Sequence, residues 1–265
     1  MTDPFAEFKA KQREGWKHFA PLETLTTMPA ARLVRFSGLQ PGQRVLDVGC
    51  GTGVAAITAR RAGAKATGLD LTPELLDRAK ENSAIAGVDD VVWKEGDVEN
   101  LPFADGAFDV VLSHFAHMFA PRPEVATKEM LRVLRSGGMI AFATWPPESV
   151  VGRVFGLISK SLPLPPGVPP MTRWGEPAAV EQLLGRAVRD LHFERGLMLF
   201  PALSPQHYRR TNEQTAGPVI RLIQALEKEP AKLAEFRREY DALATEYFRD
   251  NAVQMEYLLT RATKV

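Results

Sequence analysis

Residues Val45 to Gly53 read V-L-D-V-G-C-G-T-G, and no other stretch narrows so sharply what this chain can fold into. Val45, Leu46 and Val48 form a short apolar run behind the turn signal Pro41-Gly42, the composition of a buried parallel strand. Gly49, Gly51 and Gly53 end it with a turn that can adopt positive φ and bring backbone N–H groups close to a ligand. From Val54 onward, Ala55, Ala56, Ile57, Ala59 and Ala62 predict a helix, so the turn opens onto the positive end of a helix dipole.

Two ligand classes use such a turn. The dinucleotide fingerprint G-x-G-x-x-G needs glycine at position 54, where this chain has Val54. Asp47 precedes the first glycine; a carboxylate there repels a pyrophosphate and suits a ligand carrying an ammonium group. The pattern resembles the first motif of class I S-adenosylmethionine (SAM) dependent methyltransferases, specifically the type 11 and ubiquinone/menaquinone C-methyltransferase-like members. The phrase E-M-L-R-V-L-R-S-G-G-M-I-A-F resembles the same family, and the likeness covers about residues 40–145.

The remaining elements fall in order around that motif. Two helices, Asp3 to Phe19 and Leu22 to Phe36, precede the first strand. The second strand, Ala64 to Leu69, ends at Asp70, nineteen residues after Gly51, where an acid accepts hydrogen bonds from a ribose diol. Leu71 follows and suits the face of an adenine, and Thr72-Pro73 opens a helix. A third strand, Val91 to Trp93, leads to G-D-V-E-N-L-P-F, which resembles the family's adenine loop with Asp97 and Val98 at the contacting positions. The fourth strand, Ala107 to Ser113, is followed by a helix to Leu134 and by a fifth strand, Met139 to Trp145, after Ser136-Gly137-Gly138. Val188 to Phe200 reads as strand material interrupted at Gly196, with the sixth strand expected in its second half, and a seventh is expected where Val253, Met255, Tyr257 and Leu259 alternate with polar residues.

The expected fold is therefore α/β, a Rossmann-like seven-stranded, mostly parallel sheet. The resemblance implies strand order 3-2-1-4-5-7-6 with the last strand antiparallel. Residues 1–39 are expected to cover the cofactor site, as such helices do in the family, with 40–146 as the core. Residues 147–252 would form a helical lid with strand six, and 253–265 the closing strand.

The resemblance implies SAM as cofactor, with S-adenosylhomocysteine (SAH) as product. The cofactor set is Asp47, Gly49, Cys50, Gly51, Gly53, Asp70, Leu71, Asp97, Val98 and Ser113. Ligands of open α/β sheets bind outside the carboxyl ends of the strands, which places the methyl acceptor beyond strand four. Imidazole titrates near working pH, so His114 and, second, His117 are the candidate bases there. Trp16, His18, Phe115, Trp145, Trp174 and Tyr208 carry rings suited to an apolar or aromatic acceptor.

Charge excludes other classes. Thirty-three basic residues against 32 acids give a net charge of +1, no electrostatic case for nucleic acid. No apolar run approaches the ~20 residues that span a bilayer, and the charged amino terminus predicts a cytoplasmic protein. The single cysteine, Cys50, excludes an internal disulfide or a cysteine-built zinc site, and no metal is expected. The expected partner is a small-molecule acceptor; oligomeric state is unreadable. Two rivals stand beside a transferase: a non-catalytic SAM-binding protein whose acceptor pocket is filled by Phe115 and Trp145, and an NAD-dependent oxidoreductase, which Val54 and Asp47 oppose.

Overall fold

The computed structural model describes residues 3–265; Met1 and Thr2, at the start of the N-terminal unit expected over 1–39, lie outside the described residues. Helices α1 (Ala6–Trp16) and α2 (Glu23–Phe36) lead into β1 (Arg44–Val48), α3 (Val54–Arg61), β2 (Lys65–Asp70) and α4 (Pro73–Ile85). Then come β3 (Val92–Glu95), β4 (Phe108–His114), α5 (Pro123–Val133) and β5 (Leu134–Thr144). The second half adds α6 (Val150–Ser161), α7 (Pro177–Leu184), β6 (Val188–Pro201), α8 (Pro205–Thr215), α9 (Gly217–Ala225), α10 (Pro230–Tyr247), β7 (Phe248–Arg249) and β8 (Ala252–Lys264).

The strands form one sheet in the order β3-β2-β1-β4-β5-β8-β6, with β7 paired to β8 off that path. Strands β1 to β5 run parallel, and β8 is antiparallel to both β5 and β6. This is the expected order, with the closing strand eighth in sequence because the two-residue β7 precedes it. Asp250 and Asn251, both at positive φ (48° and 58°), join β7 to β8 as a two-residue hairpin turn.

Local causes account for two departures from the expected strands. Gly196 does not interrupt β6: a Cβ there would lie 2.2 Å from the Tyr257 ring, so the glycine lets that ring lie across the strand. The irregularity sits earlier, between Arg189 and His192, where Asp190 adopts φ 54°. Similarly, Ser136-Gly137-Gly138 does not precede β5 but bulges within it, since Phe108 pairs with Leu134 and Val110 with Met139.

The core lies where β1, β4 and β5 are covered on both faces, with Leu46, Leu112 and Phe142 wholly buried; each such side chain stabilises the fold by about 2 kcal/mol. Above the carboxyl ends of the strands, α6, α8, α9 and α10 pack on one another as a cover. Helix α1 packs on α9 at two glycines, where a Cβ on Gly15 would come within 3.0 Å of the Gly217 Cα. Among the described residues, no helix is long and apolar enough to cross a membrane.

Candidate active site

One cavity of about 250 Å³ runs from the glycine turn, over the carboxyl ends of β2 and β4, to the helical cover. Its walls bring together Gly49, Cys50, Gly51, Asp70, Leu71, Asp97, Val98, His114, Phe115, His117, Trp16, Trp145 and Tyr208. Asp47, Gly53, Ser113, His18 and Trp174 are not on its walls.

The turn is held from behind. Gly49 N and Cys50 N both donate to the Leu69 carbonyl, at 2.7 and 2.9 Å, which ties the loop to β2. Gly53 caps α3 at φ 84°, its Cα facing the Trp93 ring. Gly51 adopts φ 52°, and a Cβ there would meet nothing within 4 Å. Asp70 closes this cradle: its carboxylate accepts from Thr72 N and Gly51 N, each at 2.8 Å. Burial pushes its pKa above the ordinary carboxylate range, against those backbone donors.

Asp47 lies beneath the loop. It is 0% exposed, and its Oδ2 accepts from Ala56 N in the first turn of α3 at 3.0 Å, while Oδ1 has no partner. A carboxyl at a helix N-terminus complements the helix dipole, yet burial wins here and pushes Asp47 up to about 7. A folded pKa above the ordinary 3.8 means that the folded state keeps a proton which the unfolded state releases. Stability from this group is therefore present at low pH and lost as pH rises through about 4 to 7, by a few kcal/mol. Denaturant melts of wild type and Asp47→Asn should diverge across that window, the variant gaining relative to wild type; parallel curves would contradict the assignment.

Sequence reading missed the basic residue that fastens α1 to the third-strand loop. The Lys9 ammonium donates to Asp3 Oδ2 and Asp97 Oδ2 at 2.6 Å and to Glu99 Oε2 at 2.5 Å. The second oxygen of Asp97 accepts from Glu99 N at 2.9 Å. Arg122 adds a second cation, reaching Glu99 Oε2 at 2.6 Å and Asp3 Oδ1 at 3.2 Å. These three carboxylates have the spacing of a cation site, but the ammonium already uses its three protons on them. The lysine's local partner, Asp3, gives no hint of this role, since the other two, Asp97 and Glu99, lie 88 and 90 residues away.

Around β4, Ser113 is structural: its Oγ donates to the Val48 carbonyl at 2.8 Å and accepts from His117 N at 3.1 Å. His114 follows on the cavity wall, with Nε2 buried and unpartnered. His117 is 1% exposed, has no partner for either ring nitrogen, and packs edge-on against Phe142 and Trp174. Burial pushes both imidazoles down to about 3, so both are neutral at physiological pH. Phe115 adopts φ 57° and lies flat on Trp145, with ring centroids 4.0 Å apart at 8°; such a backbone costs ~1 kcal/mol and persists where packing holds it. Trp174 is buried behind His117.

The far end of the cavity is formed by Val154, Phe155, Met198, Phe200, Tyr240 and Met255 around Tyr208. The Tyr208 and Tyr240 rings lie 5.8 Å apart, and burial pushes Tyr208 up to about 12. Near α1, Trp16 lies edge-on to Phe119 at 4.8 Å, and Gln12 Nε2 donates to the Phe119 carbonyl at 2.9 Å.

Comparison with known proteins bears on this arrangement. The methyltransferase domain family, by its sequence profile, matches residues 46–142. An uncharacterized protein of Mycobacterium tuberculosis is 38% identical over 234 residues, 88% of this chain and 85% of its own length. A malonyl-[acyl-carrier protein] O-methyltransferase of Pectobacterium atrosepticum is 41% identical over 113 residues, 43% of each chain. In fold, a putative methyltransferase from Bacillus halodurans superposes with a TM-score of 0.60 at 21% identity, covering 89% of this chain and 98% of that one. Phosphoethanolamine N-methyltransferase 2 of Haemonchus contortus, in complex with S-adenosyl-L-methionine, gives 0.56 at 19% identity, covering 89% and 52%. With the sheet order, the glycine turn and these matches in agreement, residues 46–142 belong to the methyltransferase domain family, and the chain has the fold of the methyltransferases it superposes on.

Proposed function

We propose that this protein transfers a methyl group from SAM to a small-molecule acceptor. The observation that carries the reading is the continuity of the cavity, which joins the glycine cradle to a second, apolar lobe under the helical cover. The cradle fits an adenosyl ligand: Gly51 leaves open space where any Cβ would intrude, and Asp70 is aimed by two backbone donors. On this reading Asp70 holds the ribose diol, Asp97 and the Val98 backbone the adenine edge, and Leu71 its face. The turn at Gly49 to Gly51 holds the amino-acid portion. When bound, SAM supplies an electrophilic methyl on a sulfonium.

The chain's own work is then alignment and exclusion of water, which suffice for much of an in-line displacement. The fastened helix α1 and the cover over Tyr208 shield the cavity. A neutral imidazole at His114, with His117 behind it, accepts a hydrogen bond from the acceptor and fixes its reactive atom. Its lowered basicity suits it to orienting an acceptor more than to storing its proton. A non-catalytic SAM-binding protein would have a blocked acceptor lobe. Phe115 and Trp145 instead stack on each other, and the cavity continues past them to Phe200 and Tyr208.

Incubation with methyl-labelled SAM and a fractionated bacterial extract tests the proposal. Label is expected in the small-molecule fraction; label in macromolecules alone would overturn the acceptor class, and none anywhere would favour the non-catalytic reading.

A further inference from the structure

We propose that Lys9 is a positioning residue for the cofactor: its ammonium holds the Asp97 carboxylate where it accepts from the exocyclic amine of adenine, so that docking of α1 and recognition of adenine depend on each other. The proposal rests on the methyltransferase reading above and concerns the adenine end of the cradle.

Asp97 is fixed from two sides. Its Oδ1 accepts from Glu99 N at 2.9 Å within its own loop, and its Oδ2 accepts from Lys9 Nζ at 2.6 Å, 88 residues away in sequence. Among the described residues, no other side chain bonds to it. A carboxylate oxygen has two acceptor sites, so each oxygen of Asp97 keeps one for a further donor. The side chain is 26% exposed, and the residue lines the cavity between Gly96 and Val98. Lys9 spends its three protons on Asp3, Asp97 and Glu99. It therefore offers a ligand no donor of its own and acts through Asp97.

Charge explains why Asp97 depends on this one cation. The carboxylates of Asp3, Asp97 and Glu99 lie within 4.8 Å of one another, and like charges at that range repel strongly where water is scarce. Arg122 bridges two of them: its guanidinium reaches Glu99 Oε2 and Asp3 Oδ1, and its backbone N–H donates to Glu99 Oε1 at 2.6 Å. Neither bond includes Asp97. Without Lys9, Asp97 faces two acids with no cation in contact, and its side chain turns away from the position it now holds. A carboxylate set in advance binds a donor more tightly than one that must first be turned, because the ordering is complete before the ligand arrives.

Helix α1 supplies the coupling. Lys9, Gln12, Arg13 and Trp16, spaced as one helix face, all line the cavity. Beyond Lys9 the helix is anchored where Gln12 Nε2 donates to the Phe119 carbonyl and where Gly15 meets Gly217 of the cover. A ligand that engages Asp97 in its Lys9-bound position therefore favours the docked helix, and by linkage the docked helix favours the ligand. A purine without the exocyclic amine offers Asp97 nothing and gains nothing from the lysine.

The test titrates the full chain by calorimetry with SAH and with its deamino analogue, whose purine lacks only the exocyclic amine. Absence of SAH binding by the wild type would sink the methyltransferase reading itself, a result separable from everything that follows. The wild type should bind SAH at least about tenfold more tightly than the analogue, the contribution of one hydrogen bond to a charged acceptor. Equal affinities would show that Asp97 does not read the amine, and would overturn the proposal while leaving the cofactor site standing. In Lys9→Met the preference should collapse to about threefold or less, because SAH loses this bond in addition to whatever both ligands lose with a looser helix. If Lys9 only anchors α1, both affinities fall by one factor and the preference stays at its wild-type value, which would contradict the positioning role. A readout on the wild type needs no variant: with each ligand at saturation, SAH should slow tryptic cleavage within α1 at least about threefold more than the analogue does. Equal protection by the two ligands would overturn the coupling.

Discussion

Lys9→Met should unfasten α1. The Lys9 side chain is 9% exposed, and Glu99 beside it 1%, so removing the ammonium leaves carboxylates of Asp3, Asp97 and Glu99 within 4.8 Å of one another with only Arg122 to compensate. Deleting one partner of a buried ion pair costs about 3–5 kcal/mol, and Asp3 is partly solvated, so about 3 kcal/mol is expected. The loss should fall on the docking of α1 more than on the sheet. Limited proteolysis should therefore cut near α1 in the variant at enzyme levels that spare the wild type, and Glu99→Gln in the same chain should restore part of the protection. Wild-type docking should also weaken in alkali. The carboxylates raise Lys9 above its ordinary 10.5 against desolvation, the largest single influence, so its contribution is intact below 10.5 and lost above it. Unchanged proteolysis of Lys9→Met would show that the packing of Gly15 on Gly217 holds the helix by itself.

The second large effect is on ligand binding. Asp70→Ala removes the acceptor for Gly51 N and Thr72 N and, on the proposed reading, the acceptor for a ribose diol. Hydrogen bonds to a charged group contribute about 1.5–3 kcal/mol each, so affinity for SAH should fall by about 100-fold or more, roughly 3 kcal/mol. The variant should still melt cooperatively, since Asp70 sits at the strand's end and not among the apolar side chains of the core. Retained affinity with an intact melt would remove Asp70 from the ligand's contacts.

The sheet was legible because its signals are local. A β-branched run, a glycine turn and an alanine-rich helix fall within about twenty residues, and Asp70 and Asp97 recur at the ends of later strands. What escaped was tertiary. Gly196 reads as a strand breaker until Tyr257 is seen lying across it, and Ser136-Gly137-Gly138 reads as a connection although it bulges from within β5. Lys9 shares α1 with Lys11, and nothing near it in sequence marks Asp97 and Glu99 as its partners. The aromatic residues were named by composition alone. Trp16, Phe115, Trp145 and Tyr208 reach the cavity wall, whereas Trp174 packs behind His117 and His18 lies off the wall. Likewise Asp47 reads as a ligand group from its place before Gly49, yet the register of β1 carries it under the loop to the start of α3.

The most direct measurement is parallel calorimetric titration of the wild-type chain with SAM, SAH and NAD. Binding of the two sulfur nucleosides at one per chain, with no heat from NAD, is the predicted result; binding of NAD alone would contradict the cofactor assignment and, with it, the proposed methyl transfer.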